Sequence, residues 1–138
     1  MNILLVANKG KLYETLNKLI DRKNNIISYL IDKELDFSRL VEKFREKFFK
    51  EKIDLIVFIS GETRDESKMM LLNYLLPKEI LRISQSNSVP LIYLSSLSVF
   101  GIPNSKKITT LSPRKSIDLY SATKNLFEDG LLREDYYK

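Results

Sequence analysis

Two stretches of this chain hold the residue types that could do chemistry: Ser95-Ser96-Leu97-Ser98-Val99-Phe100-Gly101 and Tyr120-Ser121-Ala122-Thr123-Lys124. A tyrosine four residues before a lysine places both side chains on one helix face. There the ammonium can stabilise a phenolate that, with an unperturbed pKa of about 10, otherwise stays protonated at neutral pH. A serine hydroxyl brought to the same place can hydrogen-bond the oxygen that gains or loses the proton. Tyr120, Lys124 and one of the serines are therefore the catalytic candidates. The 138 residues include no histidine and no cysteine. That removes the usual general base, the commonest zinc ligand, thiolate metal sites and disulfides. Chemistry must rest on Tyr, Lys, Ser and carboxylates, and no metal site is expected.

The elements that would position these residues read as alternating strands and helices. Pro90-Leu91-Ile92-Tyr93-Leu94 is an apolar run that delivers the serines to the carboxyl end of a strand expected to be buried, where open α/β sheets place their ligands. Asn2 to Ala7 is a continuous apolar run that fits a central parallel strand. The turn Asn8-Lys9-Gly10 follows it, and then Leu12, Leu16, Leu19 and Ile20 recur at helical spacing. Strand, glycine turn and helix open a βαβ unit, in which the backbone of the turn approaches a pyrophosphate at the helix N-terminus. Ala7, Gly10 and Tyr13 stand where such a turn carries three glycines. Ala7, Gly10, Lys11 and Leu12 are candidates for cofactor contact, and a plain tight turn accounts for the same residues.

Asn25 to Ile31 reads as the second strand. It ends at Asp32, a carboxylate about 20 residues beyond the glycine turn, where ribose hydroxyls are bound in dinucleotide folds. The stretch 33–35 is too short for another full helix. Asp36-Phe37-Ser38 then opens an amphipathic helix with Ser38 expected as its N-cap. Phe37, Leu40, Val41, Phe44 and Phe48 form its core face rather than a base-stacking platform. Asp54 to Ile59 is a β-branched, apolar strand, and Ser60-Gly61-Glu62-Thr63 at its end should lie beside the first turn if the crossovers are right-handed. Gly61 would then be near any bound dinucleotide. A helix from about Glu66 carries Met69, Met70, Leu72, Leu75 and Leu76 and meets Pro77, which has no N–H for the Asn73 carbonyl. A kink that turns Asn73 inward and a simple helix restart are both open.

Basic residues number 23 against 18 acidic, a net charge of +5. They are interleaved with acids, as in Lys43-Phe44-Arg45-Glu46-Lys47, which is the pattern of a solvated surface and not of a nucleic-acid stripe. A mild attraction for anionic ligands such as nucleotides is compatible with it. No apolar run approaches the ~20 residues of a membrane span, and the N-terminus lacks the basic-then-apolar order of a secretory signal. The expectation is a cytoplasmic protein with neither membrane nor nucleic acid as partner.

With these residues placed, the chain resembles the extended short-chain dehydrogenase/reductase family of sugar-nucleotide epimerases, dehydratases and reductases. Ser95 to Gly101 is similar to its Ser-Ser-x-x-Val-Tyr/Phe-Gly signature, and Tyr120 to Lys124, with Glu128 four residues on, to its Tyr-x-x-x-Lys helix. Asn73 falls where its Asn-x-x-Gly-Thr segment begins, and Asp36-Phe37 resembles its pair near the adenine. The resemblance implies an α/β, Rossmann-like three-layer sandwich with a small, mainly parallel sheet, one nucleotide-binding domain over residues 1–138. It implies NAD or NADP as cofactor, a nucleotide-sugar substrate, and hydride transfer at a sugar carbinol or ketone. Tyr120 would exchange the proton, Lys124 would hold its charge and the nicotinamide ribose, and Ser96 would orient the substrate oxygen. Three departures stand out. Ala7 and Tyr13 replace two glycines, Leu76-Pro77 replaces the Gly-Thr, and the chain ends just after the Tyr-Lys helix, before the family's substrate domain. A bare sheet edge and apolar surface would follow, covered by a second copy or by a partner chain. The same departures suit a non-catalytic Rossmann module used for interaction or regulation.

Overall fold

The computed structural model describes residues 1–20, 23–31, 36–102 and 107–133. Asp32, the proposed ribose contact, lies outside the described residues. Elements follow in the order β1 (Asn2–Ala7), α1 (Lys11–Leu19), β2 (Asn25–Leu30), α2 (Phe37–Lys50), β3 (Leu55–Phe58), α3 (Glu66–Met70), a π-helical turn (Leu71–Leu75), α4 (Leu76–Ser86), β4 (Leu91–Tyr93), a 3-10 turn (Leu97–Phe100) and α5 (Leu119–Arg133). The four strands are parallel and lie in the order β2-β1-β3-β4. Reversal of the strand order at β1 is the doubly wound arrangement, and it puts the ends of β1 and β3 side by side. No helix among the described residues is long and apolar enough to cross a membrane.

Register divides the side chains between the two sheet faces. Leu4, Ile56 and Leu91 are partners along one row, and Leu5, Val57 and Ile92 along the next. The first face is the main core. Leu4, Val6, Ile56 and Phe58 pack there against Leu40, Phe44 and Phe48 of α2 and against Leu72, Leu76, Ile80 and Ile83 of the π turn and α4. The second face carries Ser28, whose hydroxyl lies 2.9 Å from that of Tyr13, so α1 covers it there. Over β4 no described element covers this face, and Ile92 is 55% exposed. Thus β4 is an edge strand, not the buried strand expected, because no described element pairs with its free side.

The expected cap of α2 also differs. Asp36, not Ser38, is the N-cap: its carboxylate accepts the Arg39 N–H at 2.8 Å. That starts the helix at Phe37, which is 37% exposed and lies at the margin of the core rather than within it. At Pro77 the chain neither breaks nor restarts. The Leu76 N–H reaches back five residues to the Leu71 carbonyl, a widened turn that absorbs the missing donor one residue before the proline.

Gly101 closes the serine signature for a local steric reason. Its φ of +62° lies in the left-handed region, and a Cβ there would stand 2.2 Å from the Lys115 carbonyl oxygen. The glycine lets the loop before α5 cross the 3-10 turn, where the Lys115 N–H donates to the Val99 carbonyl at 3.1 Å. Gly101→Ala should therefore cost about 2 kcal/mol or more of unfolding free energy. Urea denaturation would show it, and an unchanged midpoint would refute the account.

Candidate active site

The turn after β1 and the turn after β3 meet as the strand order requires. The Ser60 hydroxyl donates to the Asn8 side-chain oxygen. Asn8 to Tyr13, Ile59 and Gly61 line a cleft of about 220 Å³. Gly10 precedes α1 with extended backbone and no side-chain cap, and no atom lies within 4 Å of where its Cβ would be. The uncapped first-turn N–H groups of α1 thus open on free space, with Lys11 and Leu12 exposed beside them. Ala7, expected in this turn, ends β1 fully buried and offers no surface to it. Tyr13 does not crowd the turn either. Its hydroxyl reaches Ser28, and none of the residues of α1 is buried.

The π turn gives Asn73 its place. Fully buried, its Oδ1 accepts the Glu62 N–H at 2.9 Å, while its Nδ2 donates to the Glu62 carbonyl at 2.9 Å and to Thr123 Oγ1 at 3.1 Å. One amide therefore ties the turn after β3 to α5. Glu62 itself accepts the N–H groups of Thr63, Arg64 and Asp65 through one oxygen, and those bonds, that from Arg64 foremost, hold its carboxyl below the ordinary value. Gly61 allows the close approach: a Cβ there would lie 3.1 Å from Asn73 Oδ1 and 3.5 Å from Lys124 Nζ.

Lys124 is 3% exposed. Its Nζ donates to the Leu94 carbonyl at 3.1 Å and sits 4.4 Å from the centre of the Tyr93 ring. Tyr93 is held between Phe58 and Phe127 and donates its hydroxyl to the Asn73 carbonyl at 3.4 Å, so the ring is fixed beneath the cation. Burial lowers the Lys124 ammonium from 10.5 to about 8, and the Glu128 carboxylate one turn along works against the fall. It remains a cation at neutral pH. Burial likewise holds the Tyr93 hydroxyl well above its ordinary value, so it stays neutral.

Leu94, whose carbonyl binds Lys124, leads directly into Ser95-Ser96. Ser96 caps the 3-10 turn by accepting the Ser98 N–H at 3.2 Å, and the Ser98 hydroxyl lies 2.9 Å from its own. When Ser98 donates in that pair, the Ser96 proton is free for another acceptor. Asn125 donates to the Val99 carbonyl at 3.0 Å, and the Ser95 hydroxyl donates to Glu128. The serine turn and the Tyr-Lys helix are thereby brought together at three points. Tyr120 is half-buried at the start of α5, one turn from Lys124, and no described residue bonds its hydroxyl. Asp36 and Phe37 start α2, both exposed. Sequence reasoning missed Tyr93, Thr123 and Asn125. Tyr93 reads as an ordinary strand aromatic, and nothing in the linear pattern distinguishes it from one.

The buried ammonium has a measurable consequence. Between pH 8 and 10.5 the unfolded chain binds a proton at Lys124 that the folded chain has released, so stability rises with pH through that window. Tyr93 opposes this above its ordinary 10.0, since there only the unfolded chain ionises. Lys124→Met keeps the stem and removes the charge. The unfolding free energy of the native chain minus that of the variant should grow by about 2 kcal/mol from pH 8 to 10. A flat difference in urea titrations would refute it.

No family model matches the chain, and no curated protein matches it. Solved structures do. A hypothetical dTDP-4-dehydrorhamnose reductase from Sulfolobus tokodaii aligns with a TM-score of 0.81 and 19% identity over 98% of this chain and 53% of its own. The dTDP-4-dehydrorhamnose reductase of Bacillus anthracis, solved in complex with NADP, gives 0.77 and 17% over 93% of this chain and 48% of its own. The UDP-Glc/GlcNAc 4-epimerase of Campylobacter jejuni gives 0.71 and 17%, over 99% and 51%. The chain spans about half the length of these structures. Its fold is that of a Rossmann-like domain shared with sugar-nucleotide reductases and epimerases, the fold that the resemblance to the extended short-chain dehydrogenase/reductase family implies.

Proposed function

We propose that this chain is the nucleotide-binding and proton-transfer part of an NAD(P)-dependent epimerase, dehydratase or reductase of nucleotide-sugar metabolism. The observation that carries the reading is Lys124: a buried cation held by the carbonyl that leads into Ser95-Ser96, one helical turn from Tyr120. A structural lysine would favour solvent, whereas a desolvated ammonium is expensive to keep and suits a site that needs its charge.

The residues present fit a dinucleotide. Free space over Gly10 and the uncapped N-terminus of α1 fit a pyrophosphate. Gly10, Lys11 and Leu12 would hold it, Gly61 would flank it, Lys124 would hold the nicotinamide ribose, and Asp36 with Phe37 would lie near the adenine. When bound, the nicotinamide supplies or accepts hydride at the sugar carbon. Tyr120 gives its hydroxyl proton to the ketone oxygen as the carbon is reduced, or takes it from the carbinol in the reverse direction. Lys124 stabilises the phenolate left on Tyr120, and Ser96 donates a hydrogen bond that orients the substrate oxygen. Isothermal titration with NAD(H) and NADP(H) should show binding, and Tyr120→Phe should lower turnover of a nucleotide sugar at least 100-fold with cofactor affinity retained. No binding at millimolar cofactor would overturn the reading.

A second reading, a non-catalytic interaction or regulatory module, draws on Tyr13. It stands where the resemblance expects a glycine, and its hydroxyl meets Ser28. Cofactor binding with no turnover would select it.

The bare β4 edge and Ile92 support a partner that covers them, a second copy of this chain or another chain. Light scattering should show a species larger than the monomer, and Ile92→Lys should reduce it. A strictly monomeric chain at high concentration would remove the self-association.

A further inference from the structure

Glu128 lies one turn beyond Lys124 on α5 and is given no part in the proton transfer just described. Its Oε1 accepts the Ser95 hydroxyl, and its Oε2 lies 3.0 Å from the guanidinium of Arg114. Arg114 comes from the loop that crosses the 3-10 turn, and it also lies 3.5 Å from Asp129. One carboxylate, 12% exposed, thus holds three segments: the serine turn, the crossing loop and α5. The grip has a direction. Lys124 binds the carbonyl of Leu94 and Glu128 binds the side chain of the next residue, so consecutive turns of α5 clamp the two residues that precede Ser96. Ser95, Ser96, Arg114 and Glu128 line a cavity of about 430 Å³ beside this clamp.

We propose that Glu128 is a positioning residue that fixes the Ser95-Ser96 turn, and with it the Ser96 hydroxyl, against the Tyr120–Lys124 face of α5. The role rests on the function proposed above, but its first readouts do not. The groups facing Lys124 are the Tyr93 ring from β4, the Gly61 turn after β3 and, on its own helix, Tyr120 and Glu128. Among the described residues Glu128 is the charge that acts on it. Glu128 therefore also holds Lys124 as an ammonium, since a nearby opposite charge favours the charged form.

Four variants separate these roles. Glu128→Gln keeps the acceptor for Ser95 and removes the charge, Glu128→Ala removes both, Glu128→Asp keeps the charge on a shorter stem, and Ser95→Ala removes the partner hydroxyl. Amide hydrogen exchange at Ser98, Val99 and Gly101, referenced to β1 amides, should quicken about 10-fold or more in Glu128→Ala and Ser95→Ala. In lysine-labelled NMR titrations, Lys124 should titrate at lower pH in Glu128→Gln and as in the native chain in Ser95→Ala. With a substrate that turns over, kcat should fall about 10- to 100-fold in Glu128→Ala with KM little changed. The alkaline limb should move to lower pH in Glu128→Gln, and Glu128→Asp should restore part of the rate. Unchanged exchange in the 3-10 turn overturns the proposal, read from Ser95→Ala if Glu128→Ala does not fold. A chain that turns over no nucleotide sugar removes the function proposed above while exchange and titration still decide the role of Glu128.

Discussion

The structure at the ends of β3 and β4 depends on one desolvated cation. Removing an ammonium from water is unfavourable unless its donors and charge are satisfied locally. Lys124 obtains this from a backbone carbonyl, an aromatic face and a carboxylate one turn away. Each partner comes from a different constraint. Leu94 donates its N–H to the Phe58 carbonyl at the end of β4, and its own carbonyl is left for Lys124. The ring is fixed because Phe58 and Phe127 flank it. The carboxylate is close because helical geometry sets residues four apart on one face.

Asn73 and its π turn supply the second tie, and they explain why a proline inside a helical segment is tolerated. A regular α-helix through Pro77 would leave the Asn73 carbonyl without its donor. The widened turn lets the Tyr93 hydroxyl approach that carbonyl, and it points the Asn73 side chain to Glu62 and Thr123. The distortion is therefore coupled to the site: the same residue whose carbonyl the proline frees links the turn after β3 to α5. A fully satisfied buried amide of this kind rigidifies the elements it joins.

Much of this was legible in the linear chain. The extents of β1 and α1, the core face of α2 from Leu40 to Phe48, and the meeting of the Gly61 turn with the first turn follow from periodicity and from the handedness of crossovers. What was not legible depends on neighbours distant in sequence. β4 has the apolar composition of a buried strand, and only the sheet order leaves it at an edge. Ser38 has the residue type of a cap, but Asp36 starts the helix two residues earlier. For the site, the spacing of Tyr120 and Lys124 carried the pair onto one face. The burial of Lys124 depends on Tyr93, Leu94 and Gly61, which lie far from it in the chain.

The two halves of the site are built to different standards, and this bears on how it would work. α5, the serine turn and the turn after β3 are bound to one another through side chains that each meet two or more partners. α1 meets β2 through the Tyr13–Ser28 contact, with its residues all at least partly exposed. Tyr13 bonds Ser28 while the space over Gly10 stays open. A dinucleotide seated over Gly10 would add contacts where the protein itself makes fewest. On the function proposed above, such contacts would join α1 to the part of the site that side chains already hold together.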